Sequence, residues 1–285
     1  MMAKDTFLNR KLTLNSKGKL IDLSTPAVMA ILNITPDSFY QKSRVNTIDE
    51  ALKSTEKFIN EGAKFIDIGA YSSRPGAIDV SLEEELKRLI PIVEAISKEF
   101  SILISIDTFR AKVAEESIHA GAHLINDISA GSLDEAMFET IAKLQIPYII
   151  MHMKGTPQTM QQDPTYENVT AEVLTYFTEK LSSLKKLGVK DIIIDPGFGF
   201  AKTISHNYEL LQQMQSLTTF ELPMLVGFSR KSMITKVLNI KNEDALNGTT
   251  ILNTIALQKG ASILRVHDVK AAIECINLSE KIKFP

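Results

Sequence analysis

The chain has a single cysteine, Cys275, and no tryptophan. A lone thiol closes no internal disulfide and builds no Cys-based zinc site, which excludes the disulfide-stapled scaffold and the zinc ribbon. Charge is just as sparing: 32 Lys and Arg against 34 Asp and Glu leave a formal net charge of -2. Such a balance provides no broad cationic surface for nucleic acid or an anionic membrane, although a local basic cluster could still hold a small anion. No apolar run approaches the roughly 20 residues of a membrane span. The five histidines, His119, His123, His152, His206 and His267, include no HxH or HExxH spacing, so no protein-built zinc site is expected. P-loop and GxSxG signatures are missing as well. The segment MMAKDTFLNRKLTL breaks every apolar stretch with polar residues and does not read as a signal peptide. A cytoplasmic protein with no nucleic-acid or membrane partner is the expectation.

What the chain does have is a repeated rhythm. With 44% hydrophobic residues it can bury one large core. Short β-branched runs recur at Ala27–Asn33, Lys64–Gly69, Ile102–Asp107, His123–Asp127, Tyr148–His152, Asp191–Asp195, Met224–Gly227 and Ser262–His267. Runs this apolar suit strands covered on both faces in a parallel sheet. Between them lie helical stripes, such as Ala51, Leu52, Thr55, Phe58 and Ile59, or Leu82, Leu86, Leu89, Val93 and Ile96. Thr47 with Glu50, Ser81 with Glu84, and Ser132 with Glu135 have the capping-box spacing that predicts helix starts. Eight β-then-α units predict an α/β fold, a closed (β/α)8 TIM barrel. An open doubly wound sheet would share the local pattern, but the unit count and the lack of GxGxxG after the first strand favour the barrel. Residues Phe7 to Leu23, with NSKG at their centre, predict a β-hairpin closing the bottom. No linker splits the chain, so residues 1–285 are expected to form one domain.

In such barrels the active site lies where the strands end. These strands close on Asn33, Asp67, Asp107, Asn126–Asp127, His152, Asp195, Ser229–Arg230–Lys231 and Arg265–His267. Burying groups of this kind costs roughly 1–3 kcal/mol each unless they are paired or bind something, so a whole ring of them points to a site. Arg265 and His267 alternate along one strand and share a face. With Asn33 and the Ser72–Ser73–Arg74 loop near them, they make a phosphate clamp. Asp107, Asn126 and Asp195 supply acceptors and an amide, and Lys231 a donor, for a flat heterocycle with an amino-pyrimidinone edge. A pterin and a guanine both satisfy that description. His119 and His123 read as structural at the bottom face, His206 as part of a helix start, and the runs Glu83–Glu85 and Lys185–Lys186 as solvated helix faces.

Seven segments, ILNITPDSF (31–39), GAYSSRPGA (69–77), SIDTFR (105–110), INDIS (125–129), DPGFGFAK (195–202), GFSRKS (227–232) and RVHD (265–268), occur in one order along the chain. Together they resemble the signature segments of dihydropteroate synthase, a folate-synthesis transferase and sulfonamide target. The resemblance implies condensation of 6-hydroxymethyl-7,8-dihydropterin diphosphate with 4-aminobenzoate. Asp107, Asn126, Asp195 and Lys231 would hold the pterin, with Met151 against its face. Asn33, Ser73, Arg265 and His267 would hold the diphosphate, with Mg²⁺ bound through Asn33 and phosphate oxygens. Phe200, Lys231, Ser232 and the Arg74–Pro75 loop would shape the 4-aminobenzoate pocket. Asn33, Asp107, Lys231, Arg265 and His267 would carry the reaction itself. The resemblance also implies a homodimer, and the last helices, about 243–259 and 268–283, carry enough apolar residues, such as Leu246, Ile251 and Ile276, to cover the barrel and a partner. The chain departs from the family at two loops: YQKS (40–43) stands where SDGG is usual, and Tyr71 and Ser73 replace Glu and Thr. Gln41 can supply no negative charge; activity is expected to survive on Asp37, Asp107 and Asp195. Two rivals remain at this stage, a pterin-dependent methyltransferase and a non-catalytic pterin-binding protein.

Overall fold

The computed structural model describes residues 12–34, 47–71, 80–156 and 164–282. A two-stranded antiparallel hairpin, β1 (Thr13–Ser16) and β2 (Lys19–Asp22), comes first. Its turn places Lys17 and Gly18 at φ +52° and +81°, the left-handed pair that a two-residue hairpin loop needs to match strand twist. Strands and helices then alternate: β3 (Ala27–Asn33), α1 (Ile48–Asn60), β4 (Phe65–Gly69), α2 (Leu82–Glu99), β5 (Leu103–Asp107), α3 (Ala111–His119), β6 (Leu124–Asp127) and α4 (Met137–Leu144). They continue with β7 (Tyr148–Met151), α5 (Val169–Lys186), β8 (Ile192–Asp195), α6 (Ile204–Gln213), β9 (Leu225–Val226), α7 (Ser232–Leu238), α8 (Leu246–Gln258), β10 (Ile263–Val266) and α9 (Val269–Ser279). The predicted strands are therefore all present, Ala27–Asn33 with its predicted bounds and the other seven trimmed by a residue or two.

The strands from β3 to β10 pair in parallel, in the order β8-β7-β6-β5-β4-β3-β10-β9. One parallel bridge, Ile194 to Met224, brings β8 to β9, and the Ile194 N–H donates to the Pro223 carbonyl at 3.0 Å. The result is the predicted barrel.

Alternation along each strand sorts its residues. Outward side chains such as Val28, Ile66, Ile104, Ile125, Ile150, Ile194, Val226 and Leu264 join the main core beneath the helices. Inward, every strand contributes to an apolar bottom layer of Met29, Phe65, Leu103, Leu124, Ile149, Ile193, Leu225 and Ile263, to which β3 adds Ala27. Leu14, Ile21 and Leu23 of the hairpin segment pack on that layer and plug the barrel's lower end, as the sequence predicts. Ser16 Oγ donates to the His123 carbonyl at 2.7 Å, and His123 Nδ1 accepts from the Ile104 N–H, so His123 serves the bottom face.

Helix starts follow their side-chain chemistry. Thr47, Ser81 and Asn168 each accept the backbone N–H three residues on, and Thr203 with His206 forms a reciprocal capping box. Ser132 with Glu135 does not cap. The chain turns there once more, α4 begins at Met137, and the Asp134 carboxylate instead accepts from Ala136 N and Ala111 N. Glu85 also departs from the expected solvated face. It is fully buried, accepting Thr108 Oγ1 at 2.9 Å and Arg110 Nη1 at 2.6 Å, because α2 turns that one carboxylate toward the β5–α3 turn. Of the described helices, none is long and apolar enough to cross a membrane.

Candidate active site

Counting two residues up each strand from the bottom layer reaches the barrel's upper interior. There stand Ile31, Asp67, Ser105, Asn126, Met151, Asp195, Gly227 and Arg265, and two further on are Asn33, Gly69, Asp107 and His267. The same inward face thus turns mostly polar above the apolar bottom layer.

Arg265 organises one side. Its Nε donates to Asp67 Oδ2 at 2.6 Å and its Nη2 to Asp107 Oδ2 at 2.7 Å. Asp67 is fully buried and also accepts Asn126 Nδ2 at 3.0 Å. A carboxylate only accepts, so the Asn126 amide must turn its NH₂ to Asp67 and leave its carbonyl for a ligand. The Asp67 Oδ1 atom has no partner. Strand-end reasoning put Asp67 in the ring without giving it a role; the KFIDIG alternation, which points Asp67 inward with Phe65, was the available signal. Burial pushes the Asp107 carboxyl up to about 7, against the pull of Arg265.

Opposite stands Asp195, buried and raised from the usual carboxylate range by that burial. Gly197 N donates to its Oδ1 at 2.8 Å. Lys231 reaches across, donating to the Phe198 carbonyl at 2.5 Å with its ammonium 4.7 Å from the Phe200 ring centroid. Burial lowers the Lys231 ammonium to about 8, with Asp195 the largest opposing influence. Acceptors from Asp107, Asn126 and Asp195 thus converge with one cationic donor. Met151 joins Ile128, Met153 and Ala201, with Phe109, Leu133 and Phe200 packed on them, as an apolar wall at the mouth.

His267 directly follows β10 on the Arg265 face, with its Nδ1 2.8 Å from Ser229 Oγ. Burial and then Arg265 drive its imidazole down to about 3, so it is neutral near pH 7. Arg230 and Asp127, though named among the strand ends, do not line the cavity. Arg230 has φ +57° and spends its guanidinium on Asp268, at 2.9 and 3.0 Å, and on the carbonyls of Asn242 and Glu243. Those bonds hold a left-handed non-glycine turn that presents the next residue, Lys231, to the barrel. Asp127 faces outward and accepts from Ser129, Gly131 and the Tyr148 hydroxyl. Ser232 is exposed as the first residue of α7. Asn33 closes β3 in register with Gly69. Ser73, Arg74 and Pro75, like Asp37 and Gln41, lie outside the described residues. Tyr71 is described: its ring meets Phe109 edge-on at 5.0 Å, with the Arg110 guanidinium 5.4 Å away.

The sequence profile of the pterin binding enzyme family matches residues 29–267. The dihydropteroate synthase of Escherichia coli K12 is 46% identical over 267 residues, covering 93% of this chain and 94% of its own. The Yersinia pestis dihydropteroate synthase solved as a sulfonamide drug complex superposes with a TM-score of 0.91 at 42% identity, covering 94% of this chain and 98% of its own. The Xanthomonas albilineans dihydropteroate synthase solved with 4-aminobenzoic acid gives 0.88 at 34% identity, covering 96% and 99%. A barrel whose mouth sets three acceptors against one lysine, with matches this extensive, belongs to the pterin-binding enzyme family as a dihydropteroate synthase, a transferase of folate synthesis.

Proposed function

We propose that the chain joins 6-hydroxymethyl-7,8-dihydropterin diphosphate to 4-aminobenzoate by a dissociative, SN1-like route with Mg²⁺. The observation that carries this reading is the convergence of Asp107, Asn126 and Asp195 opposite Lys231, beside Arg265 and His267. Three acceptors suit the N–H groups of the pterin's amino-pyrimidinone edge, and Lys231 suits its carbonyl or ring nitrogen. Met151 would pack on the ring face. Arg265 and His267, with Asn33 and Ser73, would receive the diphosphate.

In the reaction the bond between the exocyclic methylene carbon and the diphosphate oxygen breaks, and the electron pair leaves with diphosphate. The electron-rich pterin stabilises the cation left on carbon. The 4-aminobenzoate nitrogen then forms the new C–N bond and releases one proton. A neutral arylamine is already nucleophilic, so the protein's tasks are to orient the ring and to neutralise the leaving group. Phe200, Lys231, Ser232 and the Arg74–Pro75 loop would frame the arylamine, and a sulfonamide would compete for that place.

Among the described residues no cluster of three or more His, Cys, Asp or Glu could hold a metal. The Asn33 amide, closing β3 at the mouth, offers a hard oxygen that fits Mg²⁺ carried mainly by phosphate oxygens and water. Bound there, Mg²⁺ would supply Lewis-acid neutralisation of the departing diphosphate. A homodimer in the cytoplasm completes the reading. Val237 and Leu238 on α7, Ile251 on α8 and Leu278 on α9 are exposed apolar residues on adjoining helices, and such a patch supports a partner copy.

The test is diphosphate release with and without 4-aminobenzoate in the presence of Mg²⁺. Release coupled to dihydropteroate formation, and lost in Asp195→Ala and Lys231→Ala, is expected. Pterin binding without any release would return the function to the methyltransferase or binding-protein alternatives.

A further inference from the structure

Lys202 is a buried lysine that the reaction above does not use. It is 4% exposed. Its ammonium lies 2.9 Å from His152 Nδ1, 3.0 Å from the Gly197 carbonyl and 3.1 Å from the Phe200 carbonyl. Burial lowers its pKa to about 7, with Asp195 the largest opposing influence, and these three acceptors match the three hydrogens of the charged form. His152 accepts only as a neutral ring with its proton on Nε2. Burial and the adjacent Lys202 charge hold it so, driving its pKa down to about 2.

The segment these bonds cross runs from Pro196 to Lys202 and belongs to no helix or strand. Its backbone alternates into the left-handed region, at Gly197 (φ +71°), Gly199 (φ +82°) and Ala201 (φ +48°). Such a path leaves the carbonyls without a regular ladder, and they must find partners elsewhere. Side chains supply them. Lys202 takes Gly197 and Phe200, Lys231 takes Phe198, and the Tyr166 hydroxyl takes Ala201 at 2.7 Å. The loop also presses on β7 so tightly that a Cβ at Gly197 would sit 2.1 Å from the His152 carbonyl. Lys202 therefore ties the loop's two ends to each other and to His152 at the end of β7, and Phe200 is the residue held between them.

We propose that Lys202, set by His152, is a positioning residue for the arylamine side of the site. It fixes the Phe200 ring under the Lys231 ammonium and has little part in holding the pterin. The inference rests on the assignment of Phe200 to the 4-aminobenzoate pocket.

The chain's lack of tryptophan provides a direct reporter. Phe200→Trp places a single indole on the loop, and acrylamide quenching reads how well it is held. In that background Lys202→Met and His152→Leu should each raise the quenching constant at least twofold. His152→Asn, whose amide oxygen can replace Nδ1 as acceptor, should leave it unchanged. Without the reporter, Lys202→Met should raise KM for 4-aminobenzoate at least tenfold while pterin affinity changes less than threefold. His152→Leu should follow it and His152→Asn should not. Equal losses for both ligands, or a lowered Tm with quenching and KM unmoved, would reduce Lys202 to general stability and overturn the proposal. If Lys202→Met does not fold, the His152→Leu and His152→Asn pair decides alone. Should the unaltered protein fail to bind 4-aminobenzoate, the functional assignment fails instead, and the quenching series still reports on Lys202.

Discussion

Replacing Arg265 by Met removes the cation that, among the described residues, bonds both Asp67 and Asp107, at 2.6 and 2.7 Å. Breaking a buried pair from one side costs about 3–5 kcal/mol, because the remaining charge is left uncompensated. The lower end applies here, since Asp107 already sits near 7 and escapes the penalty by taking up a proton. About 3 kcal/mol corresponds to a fall in Tm of roughly 5 °C for a chain of this size. The pH dependence has a definite sign. A carboxyl raised from 3.8 to about 7 keeps a proton in the fold that the unfolded chain has released, so its contribution to stability falls as pH rises through that interval. Without Arg265, the largest influence pulling Asp107 down, the interval extends upward. The ligand consequence is sharper. A pterin without diphosphate offers Arg265 no anion, yet Arg265→Met should bind it at least about tenfold more weakly at pH 7, roughly 1.4 kcal/mol, because Asp107 is then protonated. Raising the pH to 9 should recover much of that loss. Calorimetric titration across pH 6 to 9 measures both effects. Unchanged pterin affinity throughout, with only diphosphate binding lost, would refute the argument and leave Arg265 as an anion clamp alone.

His267, neutral because its pKa is pushed to about 3, should take up close to one proton when diphosphate binds beside it near pH 6. Titrations in two buffers of different ionisation enthalpy should differ accordingly and agree in His267→Gln; buffer-independent heats in the unaltered protein would argue against a diphosphate contact. In the unliganded protein the same depression costs stability as pH falls below 6.5, where the unfolded chain gains a proton that the fold refuses. The exposed apolar residues on α7 to α9 predict that Ile251→Glu with Leu278→Glu lowers the sedimentation coefficient of a dimer to that of a monomer; a monomeric unaltered protein would remove the homodimer from the assignment.

How far the sequence reached follows from the range of each interaction. Strand and helix periodicity is local, so the eight strands, the bottom hairpin and the caps at Thr47 and Ser81 were legible from short windows. Strand parity is local too and places Arg265 and His267 on one face, while Asp107, Asn126 and Asp195 follow from the strand ends, which do not separate them from the outward-facing Asp127. Ser132 misled because Asp134, two residues on, competes for the same helix start, and spacing cannot rank the two. What only tertiary structure decided is pairing. Arg265 meets Asp67 across 198 residues and Asp107 across 158, Glu85 leaves solvent for Arg110 and Thr108, and Lys202 finds His152 50 residues back. Barrel closure creates those neighbours. Low dielectric and lost water then turn ordinary side chains into a raised carboxyl, a lowered ammonium and a neutral imidazole, and no window of sequence contains that environment.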